Sequence, residues 1–182
     1  EYRNLWWSRS DFKHPQKLTD ANPQQKTYNW GTVRLLQWTN DEGKENKGLL
    51  YLPENYNPSY SYPMLVQFYE THSQDLFVYH TPSPSAAMAD IPTFVSQGYI
   101  VFMPDIHFTV GNPGESCYNT VVSGVKMLID QGIADPQRIG LQGHSWSGFQ
   151  TAYLVTRTSL FRCANIGAPV VDMPSAYVGV RN

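Results

Sequence analysis

The chain has 182 residues, with 13 Lys and Arg against 15 Asp and Glu, and its 8 Phe, 5 Trp and 12 Tyr make it 14% aromatic. Few charges with many aromatics exclude intrinsic disorder, and a formal net charge of -2 speaks against binding a nucleic-acid backbone. No apolar run approaches the ~18 residues of a membrane span, and no sustained apolar stretch follows Glu1-Tyr2-Arg3-Asn4 to make a signal peptide.

In chain order, Leu5 to Arg9 and Gln16 to Thr19 read as two short strands around a turn-like Asp11 to Pro15, and Asp20-Ala21-Asn22-Pro23 breaks the pattern. A lone hairpin is marginal in water, so this piece is expected to belong to a larger sheet. From Gly31 the pattern changes. Val33 to Trp38 and Lys47 to Leu52 flank the turn-rich Asn40-Asp41-Glu42-Gly43 as a hairpin, and residues 53 to 62 form a polar loop. Met64 to Tyr69 is an apolar strand, and the stretch from Thr71 to Ser85 after it reads as a functional loop. A short helix follows Asp90, with Pro92 in its first turn and Gly98 past its end. Tyr99 to Met103 is a continuous apolar run, as a buried parallel strand requires. Tyr118 to Gln131 places Val121, Val122, Val125, Leu128 and Ile129 at helical spacing. Arg138 to Gln142 is the next strand, Ser147 to Thr158 the next helix, and Ala164 to Gly167 another strand. A hairpin followed by alternating strands and helices predicts an α/β sheet, parallel apart from its leading edge.

The strand–helix junction Gly143-His144-Ser145-Trp146-Ser147-Gly148 carries the chemistry. It is a near-match to the nucleophile elbow G-x-S-x-G, in which a serine sits on a sharp turn with its hydroxyl exposed. Small residues on either side let strand and helix approach closely. The helix N-terminus then faces the reacting centre and favours developing negative charge. Gly143 fills the first small position, while Ser147 stands where the pattern has glycine and Gly148 follows.

Several spaced segments resemble the prolyl oligopeptidase family of serine peptidases, in particular its dipeptidyl-peptidase-IV-like members. These are Gly48 to Pro53, Tyr62 to Val66, Gly132 to Gly140, Gly143 to Phe149, Leu160-Phe161-Arg162 and Gly167-Ala168-Pro169-Val170. The resemblance implies an α/β-hydrolase fold over residues 27–182, incomplete at the C-terminus, and makes residues 1–26 the end of a β-propeller and a linker. It implies Ser145 as the nucleophile, the Trp146 N–H and the Tyr69 hydroxyl as donors to the oxyanion, and Val170 and Tyr177 as walls of the pocket for the residue before the cut bond. The substrate implied is a peptide cut after proline or another small residue, and a homodimer of the full-length protein is left open.

After Ser145 the chain contains one acid, Asp172, and no histidine. In α/β-hydrolases the order is Ser, then Asp or Glu, then His. Asp172 comes too early and reads as an exposed loop residue, so the acid and base are expected beyond Asn182. The 182 residues alone are then expected to be inactive, which turnover of a chromogenic peptide or ester would contradict. Asp105 reads as anchoring a loop. His14, His72, His80, His107 and His144 are not spaced as a triad base or a zinc motif, so neither metal nor cofactor is expected. Cys117 and Cys163 read as free thiols, and the compartment, periplasmic or cytoplasmic, stays open. Two other readings stand beside the peptidase: an esterase or acyl hydrolase on the same fold, and a non-catalytic remnant that keeps the elbow.

Overall fold

The computed structural model describes residues 2–85 and 87–179. A six-stranded sheet forms its centre, built from β3 (Thr32–Thr39), β4 (Glu45–Leu52), β5 (Tyr62–Gln67), β6 (Ile100–Pro104), β7 (Ala134–His144) and β8 (Cys163–Gly167). Their spatial order is β3-β4-β6-β5-β7-β8. β4 pairs antiparallel with both β3 and β6, whereas β6, β5, β7 and β8 run parallel. The expected mixed sheet, antiparallel at its leading edge, is present. Ahead of it, β1 (Trp6–Trp7) and β2 (Gln16–Lys17) pair with each other in a separate two-stranded sheet.

Alternation of side chains along the strands sorts the core into two layers. Leu50 and Leu52 of β4, Met64 and Val66 of β5, Ile100 and Phe102 of β6, and Ile139 and Leu141 of β7 all join one cluster. It is closed by Cys117, Val121, Val125 and Leu128 of α2 (Pro113–Asp130) and Leu154 of α3 (Trp146–Arg157). The intervening Leu49, Tyr51, Val101 and Met103 pack on the opposite face against Ile91 and Val95 of α1 (Ile91–Ser96).

Two elements start earlier than the sequence pattern indicates. α2 begins at Pro113, five residues before the expected Tyr118, because Pro is tolerated in the first turn and the buried Gly114 lies against the Tyr153 ring. β7 begins at Ala134, before the turn-like Asp135-Pro136, and its pairing with β5 shifts register between Tyr62 and Met64. A further helix, α4 (Met173–Val178), follows β8 with no apolar periodicity to announce it. It is capped by Asp172, whose carboxylate accepts from the Ser175 hydroxyl at 2.6 Å and the Ser175 N–H at 3.1 Å. Those bonds hold the Asp172 pKa below the usual carboxylate range. Asp172 is thus exposed, as expected, and committed to a helix end.

Side chains from the sheet pin the long segment after β5. Asp105, buried at the end of β6, accepts the N–H groups of His72 at 2.6 Å and Ser73 at 2.9 Å, which is the anchoring role expected of it. Gln67 and Gln142, register partners on β5 and β7, are also buried. Gln67 accepts the Ala89 N–H at 2.6 Å and Gln142 donates to the Ala87 carbonyl at 3.1 Å.

A third tie joins the Tyr51 hydroxyl to His80 Nε2 at 3.0 Å, with the rings edge to face. Burial, helped by the Asp75 carboxylate, pushes the Tyr51 phenol up to about 12. Burial also lowers the pKa of His80, a shift that Asp75 and Asp90 oppose and His72 reinforces. A histidine held neutral in the fold stabilises fully above its unfolded value, and that contribution is lost as pH falls through the folded one. Hydrogen exchange at residues 76–80, corrected for its intrinsic pH dependence, is therefore expected to quicken as pH falls below the ordinary histidine value. His80→Gln, which keeps an acceptor for Tyr51 but does not titrate, is expected to abolish that acid response. Equal acid responses in the two proteins would contradict the assignment.

Candidate active site

β5, β7 and β8 are consecutive parallel strands, so the segments leaving their C-terminal ends converge on one edge of the sheet. Gln67 pairs with Gln142, and His144 pairs with Gly167. Tyr69 leaves β5 two residues past Gln67, Ser145 leaves β7 one residue past His144, and Val170 lies three residues past Gly167. In open α/β sheets, ligands bind at such carboxyl ends.

Ser145 is the turn between β7 and α3. Its φ of 58° and ψ of -116° lie outside the regions that L-residues favour, a conformation costing of order 1–3 kcal/mol. The surrounding packing enforces it. A Cβ on Gly143 would overlap the Thr151 hydroxyl and the Ser147 carbonyl, and a Cβ on Gly148 would stand 2.6 Å from the Gly167 carbonyl. Strand, helix and the β8 end thus close around the serine at distances only glycine allows. Ala168, also at positive φ (40°), turns the chain back beneath it. The Ser145 N–H donates to Gly167 O at 2.9 Å, and its carbonyl accepts from Phe149 at 3.1 Å and Val170 at 3.4 Å.

Trp146 is the first residue of α3, and its N–H is one of the helix donors without an intrahelical partner. Its ring packs on Phe149 with centroids 5.3 Å apart. Tyr69 is 37% exposed just beyond β5, next to the fully buried Phe68. Ser145, Trp146, Tyr69 and Val170 therefore share one sheet edge, while Tyr177 is exposed on α4. Ser147 is the residue whose part the pattern alone does not reveal. It is fully buried, and its hydroxyl accepts from the His144 N–H at 2.9 Å and donates to the His144 carbonyl at 3.0 Å.

Residues 85–179, just over half of the 182, match the sequence model of the prolyl oligopeptidase family. The chain belongs to the prolyl oligopeptidase family. Among solved structures it is similar to the acylaminoacyl peptidase of Pyrococcus horikoshii, at 18% identity over 90% of this chain and 27% of that one, TM-score 0.67. It is also similar to dipeptidyl peptidase 4 of Porphyromonas gingivalis, at 18% identity over 86% of this chain and 24% of that one, TM-score 0.61. A post-proline cleaving enzyme from Rickettsia typhi matches at 16% identity over 88% of this chain and 23% of that one, TM-score 0.62. The sheet order and the helices on both faces are the α/β-hydrolase fold of these neighbours. The chain spans about a quarter of the length of the solved structures it matches.

At the elbow, Ser145 and Trp146 are half-buried. A cavity of about 590 Å³ lies elsewhere, between the N-terminal segment and the start of β3, and is lined by Tyr2, Lys17, Trp30, Tyr51, Phe77 and His80. Cys117, fully buried with its thiol pKa pushed up by burial, and the exposed Cys163 are both free. Among the described residues, no group of three His, Cys, Asp or Glu side chains is arranged to hold a metal. No helix among them is long and apolar enough to cross a membrane.

Proposed function

We propose that Ser145 is the nucleophile of a serine peptidase that hydrolyses peptide bonds after proline or a small residue in short peptides. The observation that carries this reading is the strained serine at the β7–α3 turn, with its hydroxyl and the Trp146 N–H both free of hydrogen-bond partners among the described residues. In the reaction Ser145 Oγ bonds to the scissile carbonyl carbon and yields its proton to a base, while the carbonyl oxygen becomes an oxyanion. The Trp146 N–H and the Tyr69 hydroxyl donate to that oxyanion from neighbouring strand ends. Collapse of the intermediate breaks the C–N bond, the amine leaves with the proton, and water then hydrolyses the Ser145 ester. Val170 and Tyr177 line the pocket for the residue before the cut bond. On the same reading, the His base and its orienting Asp follow residue 182, and residues 1–26 close a β-propeller ahead of the catalytic domain. The separate β1–β2 pair supports that division.

The test is a panel of prolyl and alanyl peptide anilides and short acyl esters offered to the full-length protein. Anilide hydrolysis that a fluorophosphonate blocks by modifying Ser145 supports the proposal. Turnover of esters alone would replace it with an acyl hydrolase, and absence of both turnover and modification would overturn it.

A further inference from the structure

The two peptide units that Ser145 shares with its neighbours contain four polar backbone groups. The His144 carbonyl accepts the Ser147 hydroxyl at 3.0 Å, and the Ser145 N–H donates to Gly167 at 2.9 Å. The Ser145 carbonyl accepts from Phe149 and Val170. Only the Trp146 N–H lacks a partner among the described residues, and it is the group the oxyanion needs. Of these restraints, the bond to the His144 carbonyl is the one made by a side chain. The same hydroxyl also accepts the His144 N–H at 2.9 Å, so one oxygen clamps both polar groups of the last residue of β7. Glycine at position 147 would meet the steric demand of the turn and nothing more. Serine fits there fully buried and adds two hydrogen bonds across the strained residue.

We propose that Ser147 is a positioning residue for acylation: its hydroxyl fixes the peptide plane between His144 and Ser145, and so the mutual orientation of the Ser145 side chain and the Trp146 N–H. The proposal rests on Ser145 being the nucleophile. Ser147 touches no reacting atom and acts through the turn. Without its hydroxyl, the plane keeps only the Ser145 N–H bond to Gly167, so it turns more easily about ψ of His144 and φ of Ser145, and the attack geometry loosens.

The experiment uses the full-length protein and a fluorophosphonate probe, which forms an Oγ–P bond to Ser145 and releases HF. Rates are expressed per titrated active site, so that a smaller folded fraction does not enter them. Ser147→Ala is expected to lower the labelling rate and the kcat for a prolyl anilide about tenfold each, with KM changed by less than about twofold. Should that variant fail to fold, Ser147→Gly removes the hydroxyl without leaving a methyl group in a closed site and carries the same expectation. Wild-type rates per site, or a loss confined to KM, would overturn the role of Ser147 while leaving the peptidase reading intact. A wild-type protein that is not labelled, or a Ser145→Ala variant labelled as fast as wild type, would overturn both.

Discussion

Ser145→Ala is expected to lower anilide hydrolysis by the full-length protein by about 10⁴-fold or more while leaving its unfolding midpoint unchanged. The first part follows from the covalent step, because alanine offers no oxygen to the carbonyl carbon and no ester can form. The second follows from the position of the side chain. The hydroxyl has no hydrogen-bond partner among the described residues, and alanine inherits the same φ of 58° and therefore the same strain. Ser145→Gly separates the two effects. Glycine reaches this backbone conformation without a Cβ penalty, so the variant is expected to be as inactive as alanine yet more stable by about 1 kcal/mol. Denaturant unfolding of the three proteins, read beside their anilide rates, checks both parts. A glycine variant less stable than wild type would contradict the account of strain at the turn.

Gly143→Ala should damage the site from a distance. The added methyl would overlap the Thr151 hydroxyl and the Ser147 backbone carbonyl, and the latter cannot rotate away without moving the first turn of α3. Overpacking of this kind costs about 1–3 kcal/mol, and a displacement near 1 Å at a reacting group costs about 10²-fold in rate. Loss of activity and loss of stability are expected together, unlike the Ser145 variants. Gly140→Ala, on the same strand, is the control. There the new methyl meets the Cys163 thiol at 3.2 Å and no backbone atom of α3, so activity near wild type is expected. Equal losses in the two variants would show that the close approach of β7 and α3 is not what shapes the elbow.

Much of this architecture was legible from local pattern. The run Tyr99 to Met103 supplies β6 because a strand buried on both faces needs every residue apolar, and Ile100 to Met103 are all buried. The elbow was legible for a different reason. Only small residues tolerate the contacts at Gly143 and Gly148, so steric necessity is written into residue type. Where sequence reading fell short, the cause was interaction across long separations. The first turn of α2 contains Pro and Gly, which locally signal a turn, and what keeps it helical is packing of Gly114 on Tyr153. Gln67 and Gln142 look like polar interruptions in apolar strands, and their purpose emerges only from the backbone of residues 87 and 89 lying across them. The hydroxyl of Ser147 belongs to the same class: the residue reads as a departure from the pattern, and its two bonds to His144 give the departure a function. Of the residues assigned by resemblance, Tyr69 and Val170 follow strands that end at the same sheet edge as Ser145, and Tyr177 is exposed on α4, the helix that follows.

The strand order divides this edge into two parts with different folding requirements. The nucleophile half, from Gly143 to Val170, comes from one continuous stretch of chain in which β7, α3 and β8 contact one another. Such a unit closes short loops and can order cooperatively by itself. Tyr69 follows β5, 76 positions before Ser145, and reaches the edge only once β5 is seated between β6 and β7. Partial unfolding that withdraws β5 would therefore carry Tyr69 away from this edge and leave the serine turn assembled, so the two donors proposed for the oxyanion belong to units that need not protect their amides equally in hydrogen exchange.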